Sequence, residues 1–195
     1  MKLFLLLILV PQLLHAQDSL LNIFPAGGGH VQYTSNITVS GASKAELAQR
    51  AMQWVLAQNQ NLQEMKDVRD ASNGILTYKG FFIKPVVVDV YGKNMEDQRT
   101  VLYNVGFFIT DGRAKVTVNN IRFRSNITGL AVTVTPEYAL DEPNMWRVED
   151  IDKLFIGMTK KKAAKQRAIN LEYFRSLNQD FIKMLNTIAQ ALKEG

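Results

Sequence analysis

Two histidines, His15 and His30, and no cysteine stand in a chain of 195 residues. Thiol nucleophiles, thiolate metal sites and redox motifs are therefore excluded, and so is a metal site built from several histidines. His30 could act as a general base only if a nucleophile and an orienting carboxylate converged on it, and no motif marks either. It reads as a surface histidine. The densest acidic group is Asp141, Glu142, Glu149, Asp150 and Asp152. Carboxylates in pairs can run acid–base hydrolysis or hold calcium, but the alternating Asp/Asn ligands and central glycine of a calcium loop are missing. Gly27-Gly28-Gly29 lacks the Gly-Lys-Ser/Thr that a phosphate cradle requires. Asn36-Ile37-Thr38 and Asn126-Ile127-Thr128 fit the N-glycosylation acceptor pattern, which reads as coincidence in a bacterial-looking chain. The run Lys160-Lys161-Lys162 with Lys165 and Arg167 could touch anionic lipid, and reads first as a solvated helix start. No catalytic residue, metal site or cofactor is assigned.

The chain opens on a charged Met1-Lys2, the apolar run Leu3 to Val10 and a small Ala16, the three parts of a secretory signal peptide. The run is too short for a hydrocarbon core that needs about 20 apolar residues, so no transmembrane span is expected once the signal is cut. The expected location is exported, periplasmic or extracellular. With 47% hydrophobic and 21% charged residues the full chain has the make-up of a globular protein, and its formal charge is +5.

The elements that would position these residues follow from periodicity. Val31, Tyr33, Ile37 and Val39 lie on one parity and Gln32, Thr34, Asn36 and Thr38 on the other, which predicts a half-buried strand over Val31 to Ser40. Ser43-Lys44-Ala45-Glu46 reads as a capping box that starts an amphipathic helix running to Gln58. Leu62 to Asp70 and Ile75 to Ile83 are predicted as a hairpin around Asn73-Gly74. Pro85 should break the strand or mark it as an edge before Val86 to Val90 continue it. A polar loop is expected over Gly92 to Arg99, then a hairpin of Thr100 to Thr110 and Arg113 to Arg124 turned by Asp111-Gly112. Beyond Asn126 the pattern dissolves into a long connection. From Lys160, Ala164, Ala168, Leu171, Phe174, Leu177, Phe181, Leu185, Ile188 and Leu192 recur every three or four residues, which predicts a long helix packed on the sheet. Asn178 interrupts its seam and weakens a coiled-coil reading. The expected organisation is 1–16 signal peptide, 17–30 flexible lead-in, 31–125 α+β domain, 126–159 connecting segment and 160–195 C-terminal amphipathic helix.

Ile37 to Val39 followed by Gly41-Ala42-Ser43-Lys44-Ala45-Glu46-Leu47, Ala51 and Trp54-Val55 carry a resemblance to known proteins. So do Gly74-Ile75, Lys79-Gly80 and Val105-Gly106-Phe107-Phe108-Ile109 leading into Asp111-Gly112-Arg113. Over residues 31–123 the chain resembles an exported bacterial family of unknown function with a TATA-box-binding-protein-like (TBP-like) fold. The resemblance implies an α+β fold with a curved antiparallel sheet of about five strands, two main helices packed on one face, and a long C-terminal helix. It brings no catalytic residues to this chain.

Strand parity then singles out one surface. If Ala114, Val116 and Val118 face the helices, Arg113, Lys115 and Thr117 face away. A local shift near Asn119-Asn120 would turn Ile121 and Phe123 inward and Arg122 and Arg124 outward. With Lys79, Thr34, Asn36, Thr38 and Asn104 on the same side, the free face is expected to be polar and basic, with Arg113, Lys115, Arg122, Arg124 and Lys79 as its binding candidates. The namesake fold grips nucleic acid with this face, but the pattern shows none of the aromatic wedges of a minor-groove reader, and an exported chain rarely meets DNA. The reading is a non-enzymatic binding or assembly module of the bacterial cell envelope, whose partner is an envelope protein or an anionic envelope component. Two alternatives stand beside it. One is a carboxylate-based envelope hydrolase using the acidic group near Asp150, and the other is a protein enclosing an apolar ligand such as a lipid between sheet and helix.

Overall fold

The computed structural model describes residues 23–27, 30–58, 73–90, 93–125, 137–140 and 159–194. In chain order the elements are β1 (Ala26–Gly27), β2 (His30–Val31), β3 (Tyr33–Thr38), α1 (Lys44–Gln58), β4 (Ile75–Val90), β5 (Lys93–Thr110), β6 (Arg113–Ser125), β7 (Glu137–Ala139) and α2 (Lys160–Glu194). The sheet is antiparallel in the order β3-β6-β5-β4, and β7 pairs with β6 beyond the end of β3. It is an α+β architecture with both described helices on one side.

Every strand sends alternate residues to the helices, because the side-chain period of a strand is two. Tyr33 and Ile37, Leu76 and Tyr78, Val101 to Ile109 by twos, and Ala114, Val116 and Val118 are all buried. The register places them side by side, with Ile37 opposite Ala114, Val105 opposite Val118 and Leu76 opposite Phe107. From α2, Tyr173, Phe174, Leu177, Phe181, Ile188 and Leu192 descend onto this face at helical spacing. Full burial of each such side chain is worth about 1.5–3 kcal/mol. The Phe181 ring centroid lies 5.2 Å from Tyr33 and 5.8 Å from both Phe82 and Tyr103. These rings occupy the space between sheet and helix that an enclosed apolar ligand would need. Burial holds the Tyr33 and Tyr103 phenols well above their usual range, with neighbouring Tyr78 adding to the effect at Tyr103.

Polar contacts fix the helices. Ser43 Oγ accepts from the Glu46 amide at 3.2 Å, and Asp111 Oδ1 accepts from the Lys44 amide at 2.7 Å, so the β5–β6 turn caps α1 as well as joining its strands. The return arm expected of a capping box is diverted, since Glu46 Oε1 accepts from Arg50 Nη2 at 2.5 Å. Arg50 Nη1 also donates to the Leu192 carbonyl at 2.8 Å, so α1 caps the C-terminus of α2. Asn178, which broke the apolar seam, accepts from the Tyr33 hydroxyl at 2.7 Å.

Three readings of the sequence are revised. The glycine-rich lead-in holds a short hairpin, Ala26 opposite Val31 and Gly27 opposite His30, anchored by the buried Phe24 ring edge-on to Phe174 at 5.8 Å. The polar loop expected over Gly92 to Arg99 is strand from Lys93, paired through to β4 with Val90 opposite Lys93. This arm runs past the end of β6, so polar residues on both its sides are compatible with strand. The dissolving pattern after Asn126 concealed β7, which is three residues long and has too short a period to read. Pro85 lies within β4, an edge of the described sheet, where a missing amide proton is tolerated. Leu62 to Asp70, the signal segment 1–16 and the acidic residues 141–152 lie outside the described residues.

Candidate open-face binding surface

The surface that neither described helix covers is set by one irregularity in β6. Continuing the alternation of Ala114, Val116 and Val118 would carry Asn120, Arg122 and Arg124 into the core. Instead Asn120 adopts φ 51°, and the register with β5 shifts between Leu102 and Asn104. Two β6 residues there face one on β5, which is a β-bulge. Asparagine enters positive φ more readily than most residues, and its Oδ1 accepts from Arg122 Nε at 3.1 Å. Beyond the bulge Ile121 and Phe123 are buried, while Arg122 is exposed and Arg124 half-buried on the opposite side.

The structure thus brings all five expected residues to one face. Arg113 and Lys115 are exposed on β6 beside Thr38 and Asn36 of β3. Lys79 is exposed on β4 opposite Asn104, and Arg122 and Arg124 lie opposite Leu102 and Thr100. Thr117 shares the face yet is buried, next to Gly106. The one acid with a described side chain in these open-face rows is Glu96, out on the β4–β5 arm.

Half of the face departs from expectation. Ile75, Phe81, Ile83 and Phe108 are 41%, 44%, 55% and 46% exposed, all on the open side of β4 and β5. The face is polar and basic along β3 and β6 and apolar along β4 and β5, and it does carry exposed aromatic rings. Both parities of β4 are apolar, Leu76, Tyr78 and Phe82 on one and Ile75, Phe81 and Ile83 on the other, so period alone did not show which set would be left uncovered. Phe108 stands across from Ile75 and Lys115, and Phe81 across from Leu102, so apolar and cationic side chains sit in the same rows.

Elsewhere the chemistry is closed in on itself. An open groove of about 550 Å³ lies between the arm and α2, lined by residues that include Lys84, Val86, Ile169, Glu172 and Tyr173. Its one lining cation is engaged: Lys84 pairs with Asp180 and donates to Ser176 Oγ at 2.9 Å. Nearby, Arg99 lies over the Tyr173 ring at 5.4 Å. His30 is exposed on β2. Lys160, Lys161, Lys162, Lys165 and Arg167 are exposed on the first turns of α2, where Thr159 Oγ1 accepts from the Lys162 amide at 3.4 Å. Among the described residues no group of three or more His, Asp or Glu is placed to hold a metal, and no helix is long and apolar enough to cross a membrane.

Residues 33–124 match the profile of a domain of unknown function, DUF4468, with a TBP-like fold. Among solved structures, a TBP-like protein from Parabacteroides distasonis ATCC 8503 is similar at 13% identity and a TM-score of 0.51, over 86% of this chain and 97% of that one. A DUF4468 family protein from Bacteroides ovatus ATCC 8483 is similar at 16% identity and a TM-score of 0.49, over 89% of this chain and 92% of that one. Likeness at these identities speaks to fold alone. No curated protein matches the chain.

Proposed function

We propose that this chain, whose residues 33–124 match the profile of the DUF4468 domain with a TBP-like fold, is a non-enzymatic binding or assembly module of the bacterial cell envelope that works through its open sheet face. One observation carries the reading. A face uncovered by either helix combines four large exposed apolar side chains with five cations. A monomeric protein rarely leaves such side chains together without use. The envelope setting rests on the export signal expected in residues 1–16. The face offers a partner apolar contact for affinity and charge for orientation and encounter rate.

Site-specific photo-crosslinking in envelope fractions tests this. A crosslinker at Lys115 on the open face should give discrete adducts that one at Gln49, exposed on α1, does not. The adducts should vanish when R113E/R122E/R124E is combined with the crosslinker at position 115, while thermal unfolding stays unchanged. The same adducts from both positions, or their persistence in the charge-reversed chain, would remove the face from consideration.

A further inference from the structure

We infer that the outer edge of β3 is an interface on which a second copy of this chain pairs, β3 against β3 in antiparallel order, an assignment that goes beyond the open-face reading. Two hydrogen bonds fix which way the backbone groups of β3 point. Val39 N donates to the Gly112 carbonyl at 2.9 Å, toward β6, and Ile109 N donates to the Gly74 carbonyl at 2.7 Å, toward β4. Bonded and non-bonded pairs alternate along an antiparallel ladder, and both bonds give the same phase. Tyr33, Ser35 and Ile37 therefore bond to Val118, Val116 and Ala114 of β6, while Thr34, Asn36 and Thr38 turn their N–H and C=O groups outward. Among the described residues no strand pairs with that outer side and no hydrogen bond reaches those groups. Ser35, between Tyr33 and Ile37 on the helix side, is only half-buried, which leaves the edge reachable from that side too. Strands at the end of a sheet are ordinarily blunted by charge, proline or a bulge. β3 has none of these, since residues 31–40 hold no charged side chain and no proline and the register with β6 is unbroken.

A copy of β3 is self-complementary to this edge. With Asn36 on a two-fold axis opposite its mate, Thr34 faces Thr38 of the second copy, and every outward N–H and C=O of these residues finds a partner. Setting Thr34 against Asn36 instead would call on Gln32, whose amide already donates to the Pro25 carbonyl at 3.0 Å. Threonine then faces threonine on either side of the axis, a pairing that supports a ladder. Arg113 and Lys115 lie one strand in, opposite Thr38 and Asn36, so the two copies hold them three strand spacings apart, about 14 Å. That exceeds the roughly 8 Å over which exposed charges act in physiological salt, and like charge does not oppose the pairing.

Sedimentation equilibrium of residues 17–195, which hold every described element, tests the assignment. The mass should rise with concentration from one chain toward two. Asn36→Pro removes the donor on the axis from both copies, and because that amide points outward the single chain keeps its fold; the dimer should weaken about ten-fold or more. T34K/T38K sets like charges across the axis and should weaken it roughly three- to thirty-fold, whereas T34K/T38E sets opposite charges there and should return it to the parent level or beyond. The chain has no cysteine, so Asn36→Cys treated with diamide, which takes up the two thiol hydrogens, should give a linked dimer, the facing Cα atoms lying about 5.5 Å apart. Gln49→Cys on α1 should not. Thermal unfolding of each variant reports that the fold is kept. A chain still monomeric at about 1 mM overturns the assignment, as does a dimer indifferent to the edge variants or one lost in T34K/T38K and not restored in T34K/T38E. A monomer that forms adducts with another protein from a crosslinker at position 36 overturns it too, and gives the edge to that protein.

Discussion

Gly80 offers a sharp test of how the two layers meet. A glycine inside a strand ordinarily weakens it by about 0.5–1 kcal/mol relative to alanine, so Gly80→Ala would be expected to stabilise β4. The packing predicts the reverse. A Cβ at Gly80 would lie 2.5 Å from Cζ, 2.6 Å from the hydroxyl and 2.7 Å from Cε2 of Tyr103, whose ring crosses the strand there. That ring cannot step aside. Tyr103 is 5% exposed and its centroid is 5.8 Å from Phe181, 5.9 Å from Phe82 and 6.3 Å from Tyr78. Overpacking of this kind costs about 1–3 kcal/mol, so after the backbone gain Gly80→Ala should destabilise by about 1–2 kcal/mol. Urea unfolding should show a lower midpoint at unchanged slope, with melting lowered by roughly 3–6 °C. In a Tyr103→Leu background the same substitution should become neutral or stabilising, because the obstructing atoms are gone. Gly106→Ala on the open face supplies the contrast. Its Cβ would meet the buried Thr117 Oγ1 at 2.9 Å and the exposed Phe108 ring at 3.3 Å, one tight contact against three at Gly80, so Gly106→Ala should cost less than Gly80→Ala. A Gly80→Ala chain at least as stable as the parent would refute the account of this interface.

Asn178→Leu should destabilise by about 1–3 kcal/mol in chemical unfolding because it strands the Tyr33 hydroxyl, whereas adding Tyr33→Phe should recover most of the loss; a double variant as weak as the single would show that the hydrogen bond is not the cause. Arg50→Met should cost about 0.5–2 kcal/mol and raise amide exchange in the last turn of α2, whose Leu192 and Lys193 carbonyls it caps; faster exchange confined to α1 would contradict that. The raised phenols set an alkaline limit. An unfolded tyrosine begins to ionise near pH 10 while the folded one keeps its proton, so the stability these groups contribute is whole below pH 10 and is lost as pH rises above it. For Tyr103 the slope is about 1.4 kcal/mol per pH unit, and Tyr103→Phe should flatten the fall measured by urea unfolding above pH 10; an unchanged slope would mean the phenol ionises in the folded chain.

Export aside, the candidate site was half legible. The cations of β6 could be placed on one face from alternation and from the adjacent asparagines that mark the bulge, because both are local rules of strand geometry. The apolar half could not. A strand apolar on both sides, such as Ile75 to Ile83, states that both sides avoid water and leaves open which one a helix will cover. The glycines of the family-like motifs were visible as letters, but the reason for Gly80 lies in Tyr103, on another strand.

Sequence by itself determined the α+β class, the long helix of residues 160–194, the Asp111-Gly112 turn and the outward direction of Arg122 and Arg124, since each depends on side-chain period or backbone preference within a few residues. Only the tertiary structure decided that Asp111 would cap a helix 67 residues away, that Arg50 would close the end of α2 and that Tyr33 would satisfy Asn178 across 145 residues. It also decided which apolar side chains stayed exposed. Those outcomes depend on where α1 and α2 come to rest over the sheet, and helix placement minimises exposed area over the whole core, a sum to which no short stretch of chain holds all the terms.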